Sequence, residues 1–132
     1  MSLRTKDAEV AKWTVLIVDD DPGNRGVADR MLSMHGAEVH TANDGVEALK
    51  KLNELNPTVI LSDISMPNMD GWELIENIRK SSKTKKTPVV AITAHAMDID
   101  KKRIMEAGFD GFISKPYWLA TFLNDIKCCV KH

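Results

Sequence analysis

The chain has 132 residues, 43% of them hydrophobic and 28% charged, with a formal net charge of −1 at pH 7. That length fits one domain with a core large enough to need no disulfide or metal staple, and the near-neutral balance gives no reason to expect nucleic acid or an anionic membrane as partner. The apolar runs fall far short of the ~20 residues that span a bilayer, and no charged segment followed by an apolar one opens the chain, so secretion is not expected.

Residues 1–12 read as an N-terminal extension or tail, and 13–132 as the domain. The first strand is "TVLIV" (14–18), which ends in three consecutive aspartates, Asp19, Asp20 and Asp21. A helix over "GNRGVADRMLSMHG" (23–36) places Val27, Met31, Leu32 and Met34 largely on one face. "AEVHTA" (37–42) is the second strand, and "DGVEALKKLNEL" (44–55) a helix with Val46, Leu49, Leu52 and Leu55 inward. "TVILS" (58–62) runs straight into Asp63, and "GWELIENIRK" (71–80) turns Trp72, Leu74, Ile75 and Ile78 to the core. The polar, basic stretch "RKSSKTKKTP" (79–88) reads as a solvated loop, with a docking patch for an acidic partner as the alternative. "VVAIT" (89–93), a helix over "DIDKKRIMEAG" (98–108), "GFIS" (111–114) and a helix over "WLATFLNDIKCCV" (118–130) complete the chain. Asp44 and Asp98 stand where helix N-caps are useful, and Gly36 and Gly108 follow helices as C-caps do. Met31, Met34, Met97 and Met105 read as helical gap-fillers in the core. Cys128 and Cys129 are adjacent, a poor geometry for a mutual disulfide. They read as two reduced thiols, one facing in and one out, consistent with a cytoplasmic protein.

Repeated strand-then-helix order implies a parallel sheet covered on both faces, because right-handed crossovers lay the helices there. The expected class is α/β, a flavodoxin-like (βα)5 three-layer sandwich. In such sheets ligands bind beyond the C-terminal strand ends, where the winding direction switches. With the strands ordered 2-1-3-4-5, strands one, three and four lie side by side. Asp19 and Asp20, Asp63, Thr93 and the following Lys115 then converge on one pocket. Each pair of ionised carboxylates about 5 Å apart costs roughly 3 kcal/mol at an effective dielectric near 20. A domain stable by only ~5–15 kcal/mol does not hold three such pairs bare. Some pKa values rise, or a divalent cation binds. Mg²⁺ suits that role because it takes a few carboxylates, keeps waters and bridges to phosphate. Thr93 and Lys115 suit the oxygens of a phosphoryl group, and Asp63, alone on its strand, is the best candidate for a nucleophile that carries one.

Four motifs in order, "VLIVDDDPGN", "VILSDISMPNMDG", "VVAITAHAM" and "AGFDGFISKP", resemble the response-regulator receiver domains of two-component signalling, from Val15 to about Val130. The 2-1-3-4-5 sheet, for which a chemotaxis receiver is a standard example, is what the resemblance implies. It implies Asp63 as phosphoacceptor, with Mg²⁺ held by Asp20 directly, by Asp19 through water, by Asp63 and by the Ser65 backbone carbonyl. It further implies contacts from Thr93 and Lys115 to phosphoryl oxygens, Phe112 as an aromatic switch moving with Thr93, and a cis Lys115–Pro116 bond. Pro67 and Gly71 look like loop-shaping residues. Asp21, where many members have Asn, reads as an N-cap, with a third metal ligand as the alternative. His95 falls at a position that influences phosphoryl loss in the family, or is a pocket-rim residue.

The resemblance implies a signalling switch rather than an enzyme acting on external substrates. Its partners are a sensor histidine kinase or histidine phosphotransfer protein upstream and a protein target downstream, with no nucleic acid and no membrane. The output surface is the face made by the fourth helix, fifth strand and fifth helix, where Tyr117 and Trp118 stand. "TAHAM" is common in hybrid-kinase receivers, whereas "GFDGFISKPYWLATFLNDIK" looks closer to single-domain regulators of the cell-division type, which is the expectation here. Two other readings compete. A dehalogenase-like phosphatase would use Asp19 as nucleophile and Asp21 as acid/base, and leaves Asp63 unexplained. A phosphorylation-independent binding module of receiver shape leaves the intact pocket unexplained.

Overall fold

The computed structural model describes residues 7–94, 101–115, Tyr117 and 119–130. Five strands form one parallel sheet in the order β2-β1-β3-β4-β5: β1 Thr14–Val18, β2 Glu38–Ala42, β3 Val59–Asp63, β4 Val89–Thr93 and β5 Gly111–Ser114. Between and after them run α1 (Pro22–Met34), α2 (Gly45–Leu52), α3 (Gly71–Lys80), α4 (Lys101–Ala107) and α5 (Leu119–Val130). The expected flavodoxin-like sandwich and strand order are both found. Asp98, Met97, His95, Pro116 and Trp118 lie outside the described residues, so the N-cap, core, rim, cis-bond and partner-face expectations attached to them do too.

The sheet separates two apolar layers. Val15, Ile17, Leu61, Val90, Ile92 and Ile113 point to one side, against Ala28, Leu32, Phe122 and Ile126 of α1 and α5. Leu16, Val18, Ile60, Val89 and Ala91 point to the other, against Ala48 of α2, the Leu74–Ile75–Ile78 face of α3, and Ile104 of α4. β3 and β4 are buried along their whole length, as strands covered on both faces must be. The edge strand β2 is buried only at Ala42.

Helix ends follow the local chemistry. Asp21, Asp44 and Asp70 cap α1, α2 and α3, accepting from the backbone N–H groups of Gly23, Glu47 and Glu73. After α1 and α4 the chain reverses through Gly36 (φ 101°) and Gly108 (φ 112°), the left-handed conformation in which glycine meets no Cβ penalty. Cys129 is buried and Cys128 exposed, as expected. Burial, followed by the charge of Asp110, pushes the Cys129 thiol up to about 11, so it is a packing group rather than a nucleophile.

Three expectations need correction. On α1 the buried positions are Ala28 and Leu32, with Met31 partly buried, while Val27 and Met34 are 46% and 50% exposed. The helix is rotated by about one residue from the apolar stripe, because small Ala28 lets it approach the sheet more closely than Val27 would. Met105 on α4 and Val46 on α2, both expected inward, are likewise 50% and 40% exposed. Finally, residues 7–12 are not a loose tail. A 3-10 turn (Val10–Lys12) buries Val10 completely beside Trp13. Asp7 caps this turn through the N–H groups of Glu9 and Val10 and pairs with Lys127 of α5 at 2.7 Å.

Candidate functional site

The C-terminal ends of β1, β3 and β4 open into a cavity of about 280 Å³ lined by Asp20, Asp63, Ser65, Thr93 and Lys115, with Asp21 and Asn24 at the start of α1. Parallel register brings these positions together: Val18 pairs with Ser62, Asp63 with Ile92, and Thr93 with Ser114. One step beyond those pairs stand Asp19 and Lys115. The cluster is thus made by sheet order, from residues up to 96 positions apart between Asp19 and Lys115.

Asp19 is fully buried and Asp63 nearly so. Asp63 Oδ1 accepts the Ser65 N–H at 3.1 Å, and its Oδ2 accepts from Lys115 Nζ at 2.9 Å. Asp19 Oδ1 accepts the Asp21 N–H, and Arg25 Nη1 donates to the Asp19 carbonyl at 2.7 Å. Asp19 Oδ2 is 3.0 Å from Lys115 Nζ, a charge contact, yet no donor is aimed along a hydrogen-bond direction to it. Lys115 Nζ therefore sits between two carboxylates, while its backbone N–H bonds to the Thr93 carbonyl and fixes the loop after β5.

The electrostatics follow from burial. Desolvation holds the Asp63 carboxyl above its usual range, with the Asp19 charge adding to the rise and Lys115 opposing it. Burial works against the Lys115 ammonium as well, but its close contacts with the Asp63 and Asp19 carboxylates outweigh it and raise its pKa. The expected crowding of acids is real, and a cation from the protein itself relieves part of it.

Asp19, Asp20 and Asp63 each offer a carboxylate oxygen, and these atoms all lie within 4.8 Å of one another. Exposed Asp20 faces the opening, and one oxygen of buried Asp19 lacks a donor. Hard anionic oxygens at this spacing fit a divalent cation. Asp21 stands apart from this set: its carboxylate accepts from Gly23 N–H and Asn24 Nδ2, which makes it the N-cap rather than a third ligand of that strand end.

Phe112 lies half-buried on the α2–α3–α4 side, with Lys101 Nζ 5.4 Å from its ring centroid. Tyr117, expected on the partner face, is held inward. Its ring packs on Phe122 at 4.8 Å, and its buried hydroxyl has no hydrogen-bond partner among the described residues. Burial, reinforced by the charges of Asp19 and Asp63, pushes its pKa up, so it stays a neutral phenol. Aromatic character alone could not distinguish inward from outward at the start of a helix.

Sequence reasoning missed two supporting residues. Arg25 reaches back from the first turn of α1 to the Asp19 carbonyl. Asn68, in the left-handed region at φ 68°, ties the β3–α3 loop to α2 by donating to Asp44 Oδ2. An Asn in a loop rich in turn residues was the available signal for the second.

Comparison with known proteins agrees with this geometry. The family model described as the response regulator receiver domain matches residues 15–127. The chain is 34% identical over 116 residues to the protein PilG of Pseudomonas aeruginosa, covering 88% of this chain and 86% of that protein. It is 43% identical over 105 residues to the sensor histidine kinase RcsC of Escherichia coli, but there spans only 11% of the relative's length. Among solved structures, chemotaxis protein CheY4 of Vibrio cholerae superimposes with a TM-score of 0.83 at 34% identity, over 88% of this chain and 97% of that one. The receiver domain of sensor histidine kinase PA1611 from Pseudomonas aeruginosa, solved with a magnesium ion coordinated in its active-site cleft, gives 0.83 at 27% identity over 91% and 98% of the two chains.

Proposed function

Because this chain belongs to the response regulator receiver domain family, we propose that Asp63 is its phosphoacceptor and that the domain is a phosphorylation-dependent signalling switch. The phosphoryl group comes from a phosphohistidine of a sensor kinase or a histidine phosphotransfer protein. As the donor's P–N bond breaks, its electron pair returns to the imidazole and a P–O bond forms to the Asp63 carboxylate. The Ser65 N–H and Lys115 hold that carboxylate in a fixed orientation before transfer. Lys115, kept charged by its two acidic neighbours, meets one phosphoryl oxygen as negative charge develops, and the Thr93 hydroxyl in the same cavity meets another.

Asp19, Asp20, Asp63 and the Ser65 carbonyl would hold Mg²⁺, which when bound supplies charge neutralisation for the transferring group. Once formed, the aspartyl phosphate draws Lys115 and Thr93 toward itself. A near-complete shift between two conformations needs about 5.5 kcal/mol of differential stabilisation, within reach of a dianion meeting a metal, an ammonium and a hydroxyl. Half-buried Phe112 is the ring free to move inward with Thr93. The readout is the α4–β5–α5 face, to which a downstream protein binds in the cytoplasm. The domain turns over no external substrate.

One observation carries this reading: at the C-terminal edge of the sheet the oxygens of Asp19, Asp20 and Asp63 lie within 4.8 Å of one another, and Lys115 Nζ lies 2.9 Å from Asp63. Incubation with Mg²⁺ and acetyl phosphate, followed by intact-mass measurement, is expected to show one phosphoryl increment on the wild type and none on Asp63→Asn. Labelling that persists in Asp63→Asn, or labelling of neither protein, would overturn it.

A further inference from the structure

A second cavity is remote from the site around Asp63 and shares no lining residue with it. It lies between α2 and α3, encloses about 390 Å³, and has an apolar floor of Val46, Leu49, Leu52 and Met69. Its rim carries two ammonium groups, Lys50 and Lys83, and no acid. Val46 is 40% exposed there, an apolar surface with water on it.

The charge beside this groove is one-signed and held in place. Residues 79–88 contain Arg79, Lys80, Lys83, Lys85 and Lys86 and no carboxylate. This stretch is the expected solvated loop, exposed at residues 80–83, 85 and 86, and its backbone is held by hydrogen bonds. Arg79 Nη1 donates to the carbonyls of Lys85 at 3.1 Å and Thr87 at 2.7 Å, and buried Thr84 donates its hydroxyl to Ile78 O. Lys83 Nζ reaches across to the Leu52 carbonyl at 2.7 Å, joining the loop to the end of α2. The Lys50 carbonyl accepts the Asn53 N–H, and its ammonium acts on the Asp44 carboxylate only through longer-range charge. Two acids of the flanking helices are engaged elsewhere, Glu76 with Lys80 and Glu47 with the Asn43 N–H.

We propose that the α2–α3 groove is a docking site for an acidic amphipathic segment of a partner protein. Apolar side chains one helical turn apart enter the floor, and Asp or Glu residues flanking them meet Lys50 and Lys83. Nucleic acid fits less well, because the floor offers apolar contact and no aromatic ring for base stacking. Lys83, already tied to the Leu52 carbonyl, is presented at a lower ordering cost.

The test uses the full chain, isotopically labelled, in an NMR titration with a synthetic peptide carrying Leu at one-turn spacing and Glu elsewhere. A matched peptide with Lys for Glu and a single-stranded oligodeoxynucleotide are the comparisons. The Glu peptide is expected to shift the amides of 46–53 and 77–84 and to bind at least about tenfold tighter than the Lys peptide. Lys50→Glu with Lys83→Glu is expected to reverse that preference. Lys50→Glu alone, which leaves the Lys83–Leu52 bond in place, weakens the Glu peptide without altering thermal stability or Asp63 labelling. Equal binding of the two peptides, shifts centred on α4, β5 and α5, or an oligodeoxynucleotide producing the same map at equal affinity would each overturn the proposal.

Discussion

Lys115 Nζ lies 2.9 Å from Asp63 Oδ2 and makes a second charge contact to Asp19, so a single ammonium balances two buried carboxylates at the tips of adjacent strands. Removing it leaves like charges facing each other out of water. Lys115→Ala is therefore expected to lose about 3 kcal/mol in urea unfolding under chelator, the scale for orphaning a buried charge. Saturating Mg²⁺ should recover most of that loss, since a bound cation replaces the missing charge. An equal loss with and without Mg²⁺ would show that Lys115 acts by packing instead.

Asp63 sets the sign of a pH effect. Its folded-state pKa is raised, chiefly by burial, so the native protein holds more protons than the unfolded chain above the ordinary value of 3.8. Stability then falls as pH rises through that window. Asp63→Asn removes the ionisation penalty and is expected to melt at a higher temperature than the wild type at neutral pH without Mg²⁺. The advantage should shrink as pH falls toward 3.8. Calorimetric scans at several pH values check it, and a gain independent of pH would refute the charge explanation.

Gly71 opens α3 directly against the Asp63 backbone. A Cβ there would stand 2.5 Å from the Asp63 carbonyl oxygen and 2.7 Å from Ile64 Cα, both backbone atoms that cannot swing aside. Gly71→Ala should cost about 1–3 kcal/mol through overpacking and slow Asp63 labelling by acetyl phosphate. At Gly26 on α1, a Cβ would meet nothing within 4 Å. Gly26→Ala should stabilise by about 0.4–1 kcal/mol with labelling unchanged. Similar labelling rates in both variants would disconnect Gly71 from the site.

Asp7 tethers the N-terminal turn. Its carboxyl is held below the ordinary range, first by the Lys127 hydrogen bond and then by the Val10 N–H. A lowered folded pKa contributes stability above the ordinary value of 3.8 and loses it as pH falls through the lowered one. Asp7→Ala is expected to cost about 1 kcal/mol at neutral pH, the scale of a lost cap, and to be indistinguishable from wild type in strong acid. Thermal melts across the acid range provide the measurement.

Much of the fold was legible because its signals are local. Continuous apolar strands, Asp caps at 21 and 44 and glycines at 36 and 108 each act within a few residues, and all were found where the sequence pointed. The rotation of α1 was not legible, since Val27 and Ala28 are both apolar and only contact with the sheet chooses between them. The burial of Val10 and the Asp7–Lys127 pair were equally hidden, because the partners are 120 positions apart.

The sequence by itself determined which functional groups stand at the strand ends: carboxylates at 19, 20 and 63, a hydroxyl at 93 and an ammonium at 115, in an order that prescribes a parallel sheet. Tertiary structure alone decided how those charges are shared. It placed Lys115 between Asp19 and Asp63, turned Asp21 away to cap a helix, drew Tyr117 inward and set a basic rim on the α2–α3 groove. Residue type fixes what a group can do, whereas distance and burial, which arise only when remote segments pack, fix what it costs to ionise and what it faces.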